Sequence, residues 1–497
     1  MAELSNTQKV YRGVSSQTLV TIILGVVEII SFSIMSRLLT KEDFGYYAAI
    51  SAIVAIFACF SDAGIGSAII QRKDPSKQFI NNAFTISLIF GTVVSLTLFA
   101  FSGIIAKIVT DESMTLPLKL MSITLLLNCM NSVNISIMYR RLEFFRVGLI
   151  NLVSLIITTV VAVVLATRGY GYYAIIAKGI LYSIITLCLS FAFAHTRYHF
   201  ALDGKSFKQI FGFSGWLMAS GLFRNLAHDI DKLLLTRLLS VASLGAYNRP
   251  KDFISQVSNK LTGIFDSALF PVLSNIQDDN TRLKRAFCES LYYINILGVV
   301  LTLSFAVNSE LLIRVFFGEQ WLDLRDITII LSFLMLFNID GRLADCFLRS
   351  LGLTKQQFFF RIIETVVTSI GVVAGALGGD IKGVAIGVVL TNMFLKLAKI
   401  LYVSYRIDVP FKTAVFEIFS SWKFVVVVAP ICVLMFALLP HTVIGSIILL
   451  LVFLTLLVLI FLVFPSFVGG HYVEDGYSVV TRYISSIKSK VNNQKKQ

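Results

Sequence analysis

Charge is what this sequence is short of. Asp, Glu, Lys and Arg supply 14% of its 497 residues, where a soluble domain carries about 25%. That shortage excludes an ordinary soluble chain. Cysteine is also scarce. The six (Cys59, Cys129, Cys188, Cys288, Cys346 and Cys432) fall in or beside apolar stretches without metal-ligand spacing. They read as small core residues, with no disulfide and no metal site expected. No GxxxxGK[ST] loop occurs, which excludes a P-loop ATPase engine. Long connections are missing too: the longest are 195–209, 405–421 and the 466–497 tail. None can hold a nucleotide-binding or glycosyltransferase domain of about 100 residues or more. The first apolar run is too long for a signal peptide and has no small-residue cleavage site, so it is expected to stay as the first helix. No cofactor is expected.

What is present is apolar. Hydrophobic residues make up 56% and mean hydropathy is +0.81. Runs of about 20 residues, enough to cross a hydrocarbon core, recur along the chain. They predict an all-α polytopic membrane protein of about fourteen spans, near 14–37, 45–70, 80–106, 116–138, 147–167, 170–194, 210–236, 250–275, 287–316, 326–348, 358–378, 381–404, 422–440 and 442–465. The seventh and eighth carry the most charge, and hydropathy alone would drop them.

The +14 net charge invites a nucleic-acid partner, but its placement argues for topology instead. With the N-terminus inside, 25 of the 43 Lys and Arg fall in the expected cytoplasmic stretches and 11 on the outer side. This is the positive-inside asymmetry, and it puts both termini in the cytoplasm. The tail "RYISSIKSKVNNQKKQ" (482–497) is polar and basic, as a headgroup-hugging end would be.

Sliding the chain by 200 positions lays "SRLLTKEDFGYY" from Ser36 over "TRLLSVASLGAY" from Thr236. Arg37 pairs with Arg237, Gly45 with Gly245, and Tyr47 with Tyr247. With a small gap, "FSDAGIGSAIIQRKD" (60–74) lies over "FDSALFPVLSNIQDD" (265–279). A six-helix unit is therefore repeated. Its parts are a lobe at 1–200, a second pseudo-symmetric lobe at 201–406, an extra helix pair at 407–466, and the basic tail 467–497. An even-numbered unit keeps its orientation, so the copies are parallel, and transporters often place a substrate site between such halves.

Within "GLFRNLAHDIDKLLLTRLL" (221–239), ionisable groups sit inside a greasy span. At 100° per residue, Arg224, Asn225, His228, Asp229, Asp231 and Lys232 share an arc of roughly 160°. The eighth span repeats this with Asp252, Ser255, Gln256, Asn259, Lys260, Thr262, Gly263, Asp266 and Ser267. At about 2.5–3.5 kcal/mol per charge, the four formal charges of the seventh span would cost roughly 10–14 kcal/mol facing lipid. Those faces must meet water or protein. Either Asp229 and Asp231 lock onto Arg224, Lys232 or a neighbouring helix, or both faces line a hydrated cavity between the lobes. The breadth of the arc and its hydroxyl and amide company favour the cavity. On that reading Arg224, Asn225, His228, Lys232, Gln256, Asn259, Lys260 and Arg342 are candidate substrate contacts.

Glu28, Asp62, Asp229, Asp231 and Asp266 are candidates for ion or proton coupling, since an acid within a membrane span is functional by default. A hydrogen-bonded structural role is as open for Glu28 and Asp62. Arg342 and Asp345, three residues apart, are expected to pair on one helix face. Lys178, Lys396 and Lys399 are expected to snorkel.

Seven stretches, in order, resemble polysaccharide flippases of the Wzx and teichuronic-acid exporter type, within the multidrug/oligosaccharidyl-lipid/polysaccharide exporter superfamily. They are "SRLLTKEDFGYYA", "FSDAGIGSAIIQRKD", "YRRLEFFR", "LGAYNRPKDF", "LFPVLSNIQDD", "LKRAF" and "FFGEQW". The likeness covers about residues 10–410. It implies a bacterial inner-membrane flippase that moves polyprenyl-pyrophosphate-linked oligosaccharide to the outer leaflet by alternating access around a cationic cavity, with other polysaccharide-assembly proteins as possible partners. Arg224, Lys232, Lys260 and Arg342 would then meet pyrophosphate or acidic sugars. Acids are as frequent as bases on the seventh and eighth spans, a departure that makes the cavity less cationic. The rival within the superfamily is a multidrug exporter. A membrane glycosyltransferase or ligase is disfavoured by the short outer loops, and a structural scaffold by the wide polar faces.

Overall fold

The structure is a computed structural model that describes residues 6–62, 65–71, 75–196, 198–420 and 430. The helix pair predicted at 422–440 and 442–465 and the tail 467–497 lie, apart from residue 430, outside the described residues. So do the side chains of Asp62 and Asp266.

The described residues are helical, without a strand. In order they form α1 (Asn6–Leu38), α2 (Lys41–Asp62), α3 (Ile65–Gln71), α4 (Lys77–Val109), α5 (Thr115–Arg140), α6 (Phe144–Thr167), α7 (Tyr173–Ala194) and α8 (Gly204–Leu238). Then follow α9 (Val241–Asn275), α10 (Asn280–Val307), α11 (Ser309–Leu312), α12 (Arg325–Ser332), α13 (Leu334–Ser350), α14 (Thr354–Ala376), α15 (Ile381–Arg406) and α16 (Phe411–Ser420). Ten stretches among the described residues are long and apolar enough to cross a membrane. They match the first six predicted spans and the ninth to twelfth. The seventh and eighth, now α8 and α9, miss that test on composition, yet each is a 35-residue helix. At 1.5 Å per residue this exceeds a hydrocarbon core of about 30 Å.

Two spans are more broken than periodicity predicts. The ninth ends in α11 and a π-turn at Ile313–Phe317, and a 3-10 turn at Glu319–Leu324 leads into α12. Chain entry is set locally. Ser76 accepts a hydrogen bond from the Phe79 amide at the start of α4, and Asp279 accepts one from the Arg282 amide at the start of α10. Each satisfies one of the free amides of a first turn.

Burial is inverted relative to a soluble protein. Ile22, Val93, Leu96, Ile104, Ile108, Val160, Ile370 and Phe394 are exposed, while Ser102, Asn134, Ser154, Thr158, Ser190 and Asn295 are buried. Small hydroxyl residues inside allow close helix approach in lipid, where apolar side chains gain nothing by turning inward. Cys59, Cys129, Cys288 and Cys346 are buried thiols, as expected; Cys188 is exposed on an apolar helix face instead.

By contacts the chain divides into two compact units. The first holds residues 1–253, 313–331 and 354–392. Within it α4 packs on α5, α1 on α6, α7 on α5 and α6, and α8 on α2 and α14. The α14–α15 hairpin closes through glycines four apart: a Cβ at Gly375 would lie 2.4 Å from the Gly383 carbonyl oxygen, and one at Gly387 2.2 Å from that of Gly371. The second unit holds residues 254–312, 332–353 and 393–497. Its described core is the α10–α13 pair, with α16 against α10.

Candidate functional site

The repeated motif is built the same way twice. α1 ends at Leu38 and α2 starts at Lys41; α8 ends at Leu238 and α9 starts at Val241. Each second helix opens on a hydroxyl cap. Thr40 Oγ1 accepts the Asp43 amide at 3.2 Å, and Ser240 Oγ accepts the Ser243 amide at 3.1 Å. The two starts then cross. A Cβ on Gly45 would lie 1.9 Å from the Val241 carbonyl oxygen, and one on Gly245 would lie 1.8 Å from that of Lys41. Positions 200 apart thus make reciprocal contacts, as two parallel copies related by a two-fold axis must. Only glycine fits, because no side-chain carbon survives at that range.

Below this crossing, α8 and α9 trade charges. Asp229 Oδ1 meets Lys232 Nζ at 3.0 Å and His228 Nδ1 at 2.9 Å. Lys232 Nζ also lies 3.6 Å from Asp252 Oδ1, and Asn248 Nδ2 donates to Asp252 Oδ2 at 2.7 Å. Asp231, 1% exposed, takes Tyr247 OH at 2.7 Å, its own neighbour's amide from Lys232 at 2.9 Å, and the Lys251 ammonium. Buried carboxylates with this many donors are satisfied ones.

Arg249 completes the lock. Its Nε donates to Ser36 Oγ at 2.9 Å and its Nη2 to the Phe32 carbonyl at 2.6 Å, while the guanidinium lies 3.2 Å from the Phe32 ring centroid and 4.0 Å from that of Phe44. Three carboxylates (Asp229, Asp231, Asp252) thus stand beside three bases (Lys232, Lys251, Arg249). Their formal charges cancel, so the lock exerts no net pull on an anion in this conformation.

The segment "FFGEQW" straps the same corner. Gln320 Nε2 and Trp321 Nε1 donate to the Ser36 carbonyl at 2.7 and 2.8 Å, Arg37 Nη2 donates to the Val315 carbonyl at 2.9 Å, and Lys41 pairs with Asp323. Phe317 and Trp321 are almost wholly buried beneath it. Three of the family-like stretches therefore converge on one place.

A second polar cluster lies in the other unit. Lys399, 0% exposed, gives its Nζ to Asp345 Oδ1 at 3.0 Å. Arg342 Nη2 donates to Asn259 Oδ1. Asp345 thus has Lys399 as a partner, and Arg342 reaches Asn259. One expectation is corrected here: Lys399 does not snorkel, because a countercharge 3.0 Å away inside the protein replaces the interface. Lys396 is buried as well, its stem against Gly341. Lys178 is half-buried and donates to Ser31 Oγ.

The broad polar arc of α8 splits by burial. Asp229, Asp231 and Lys232 are inside and paired with one another or with α9. This is the locking arrangement, and it leaves Lys232 occupied by carboxylates rather than open to an anion. Arg224 and His228 are exposed. Asn225, half-buried, donates to the Ala55 carbonyl at 2.8 Å. On α9, Gln256 and Lys260 are half-buried and Asn259 is exposed; Arg342 and Glu28 are half-buried. Tyr247, Arg249 and Lys251 are the lock members that the helical wheel of the seventh span cannot supply. Their signal was the motif "LGAYNRPKDF", whose every polar side chain is used.

Comparison with known proteins fixes the class. Residues 34–326, more than half of the chain, match the family described as polysaccharide biosynthesis protein. The chain belongs to that family. It is similar to the lipopolysaccharide biosynthesis protein WzxC of Escherichia coli K12, 23% identical over 415 residues, covering 81% of this chain and 84% of that one. It is also 23% identical over 393 residues to the succinoglycan biosynthesis transport protein ExoT of Rhizobium meliloti, 78% of each chain. The teichuronic acid biosynthesis protein TuaB of Bacillus subtilis is 20% identical over 320 residues, 64% of this chain and 66% of that one. In fold it is like the lipid II flippase MurJ in an inward closed conformation (TM-score 0.68, 15% identity, 90% of this chain, 98% of that chain) and an inward-facing MATE transporter (TM-score 0.65, 14% identity, 80% and 98%). The expected family and the all-helical membrane fold both hold. The lock motifs lie within residues 34–326, so the matched segment includes the corner just described.

Proposed function

We propose that this chain is a flippase for cell-surface polysaccharide biosynthesis, moving polyprenyl-pyrophosphate-linked oligosaccharide from the cytoplasmic to the outer leaflet of a bacterial cytoplasmic membrane. It works by alternating access through a polar cavity, without catalysing a covalent step. Its parts would be lobes at 1–200 and 201–406, a helix pair at 407–466 and a tail at 467–497, with both termini cytoplasmic.

The observation that carries this reading is the corner where α1, α2, α8, α9 and "FFGEQW" meet. The topology that keeps most Lys and Arg inside puts that corner at the outer end. There a charge-balanced lock, two crossed glycines and a strap shut one end of the bundle through contacts that can separate without leaving a net charge. A carrier needs a closed end of this kind, and an enzyme has no use for it. Parting α8 from α9 would release Lys232 from Asp252 while Asp229, on the same helix, stays beside it; Arg224, Lys260 and Arg342 are then the cations that suit a pyrophosphate passing through a low-dielectric cleft. Asn225, His228, Gln256 and Asn259 would hydrogen-bond sugar hydroxyls. Asp231 then acts by holding and releasing Lys251 of α9, while Asp229 stays with Lys232 on α8; Glu28, Asp62 and Asp266 remain candidate coupling acids.

The test uses purified chain in liposomes with a fluorescent lipid-linked oligosaccharide and an outer-leaflet accessibility readout. Arg224, exposed and without a hydrogen bond or ion pair to the described residues, should on replacement by Ala lower the transfer rate at least tenfold while the melting temperature stays within about 2 °C, as for an exposed substitution. Transfer at the wild-type rate by both Arg224→Ala and Arg342→Ala, with extrusion of a small cationic dye, would give the multidrug reading its place.

A further inference from the structure

The second unit holds a carboxyl that the lock does not use. Asp340 lies on α13, 2% exposed, and its Oδ1 has no hydrogen-bond partner. Among the described residues no cation or donor reaches the group. The basic side chains close to it in sequence and packing are engaged. Lys399 is on Asp345 and Arg342 on Asn259, while Lys396 lays its stem along Gly341.

The α10–α13 pairing shows what stands opposite. Thr302 Oγ1 reaches the Ser332 carbonyl, Gly298 abuts Leu336, and the Phe287 and Phe347 rings meet edge-on at 5.1 Å. Each step along α10 is answered by an equal step back along α13, so Asp340 stands level with Ile294 and Asn295. Asn295 is also buried, 0% exposed; its Nδ2 is spent on the Leu291 carbonyl and its Oδ1 is unpartnered. A small cavity lined by Thr262, Ile294, Ile339, Arg342, Leu343 and Cys346 adjoins this level.

Two buried oxygen acceptors at one level, both unsatisfied, share a single remedy. One added proton turns one of them into a donor and removes the charge as well. The alternative, an ionised carboxylate away from water and unpaired, costs several kcal/mol even after relaxation. We propose that Asp340 is a proton-binding site, carrying a proton in this conformation and directing it toward the α10 face at Asn295. The titratable and charged groups on the elements packed about α13 are Glu289, Tyr292 and Tyr293 on α10, Lys260 on α9, Glu417 on α16, and Lys396 and Lys399 on α15, with Arg342, Asp345 and Arg349 on α13 itself. If the chain is the carrier proposed above, a carboxyl that is neutral when dry and ionised when wetted gives it a means of coupling transport to a proton gradient. The site itself stands independently of that reading.

The experiment is infrared difference spectroscopy of the purified full-length chain in lipid, wild type minus Asp340→Asn, with no substrate present. A protonated-carboxyl C=O band assigned to Asp340 is expected at both pH 5.5 and pH 7, changing less than about twofold. An ordinary aspartate with a pKa of about 3.9 would lose the band about 30-fold over that interval. Carboxylate bands alone at pH 7 would overturn the proposal. So would an Asp340→Asn chain that fails to assemble in the membrane, because the neutral amide mimics the protonated acid and only a required charge would be missed. Both outcomes are read without any sugar lipid, so they leave the flippase reading untouched.

Discussion

Replacing Gly245 by Ala places one methyl group where the Lys41 carbonyl oxygen lies 1.8 Å away, and Gly45→Ala does the same against Val241 at 1.9 Å. Neither obstacle is a flexible side-chain tip; both are backbone. Bringing the first contact to an ordinary 3.4 Å means parting α2 and α9 by about 1.6 Å. Arg249 Nε and Ser36 Oγ, now 2.9 Å apart across the same crossing, would pass beyond hydrogen-bond range. Overpacking of this kind costs about 1–3 kcal/mol, which is roughly a 5- to 150-fold shift toward the open end if the two states share the remaining contacts. The readout is the rate at which a water-soluble maleimide modifies a cysteine introduced at Leu244, which is 0% exposed, in a chain whose native cysteines are replaced by serine or alanine. Each glycine substitution should raise that rate at least fivefold. The reciprocal geometry adds a sharper expectation: both should act alike, and together they should be less than additive, because once the helices have parted the second methyl meets open space. Rates within twofold of the parent for both single variants, with unchanged melting, would refute the close crossing.

Three further outcomes follow from the same contacts. Tyr247→Phe removes the hydroxyl that donates to Asp231 at 2.7 Å and should lower stability by about 1–2 kcal/mol, read as a fall in the denaturation midpoint in detergent; an unchanged midpoint would mean water replaces the phenol. Lys399→Met takes away the ammonium 3.0 Å from the buried Asp345 carboxylate and should cost about 3–5 kcal/mol, whereas Lys399→Met combined with Asp345→Asn should recover most of it, a cycle measured by the same midpoint. Trp321→Phe keeps the ring contacts but loses the Nε1 bond to the Ser36 carbonyl; it should cost about 1 kcal/mol and speed modification of the Leu244 cysteine, and a slower rate would show that the strap does not hold this end shut.

Much of this molecule is written along the chain. Apolar runs long enough for a bilayer show through any single span, since each helix satisfies its own backbone in lipid and needs no partner to do so. Hence ten crossing stretches among the described residues stand where hydropathy placed them, and the caps Thr40 and Ser240, 200 residues apart, appear in the sequence as they do in space. The energetic rule that charged faces cannot meet lipid also holds from sequence alone, because it depends on solvent and not on neighbours. Choosing among those charges required three dimensions. The wheel of α8 groups Arg224 with Asp231 on one arc, but only the approach of α9 buries Asp231 beneath Tyr247 and Lys251 while leaving Arg224 outside. Arg249 spends its guanidinium on a carbonyl 217 residues away, a pairing that no local pattern encodes. Asp340 was invisible in the same way. A single acid in an apolar helix declares its presence, and whether a partner waits across the interface is decided by packing register, which exists only once two helices have met.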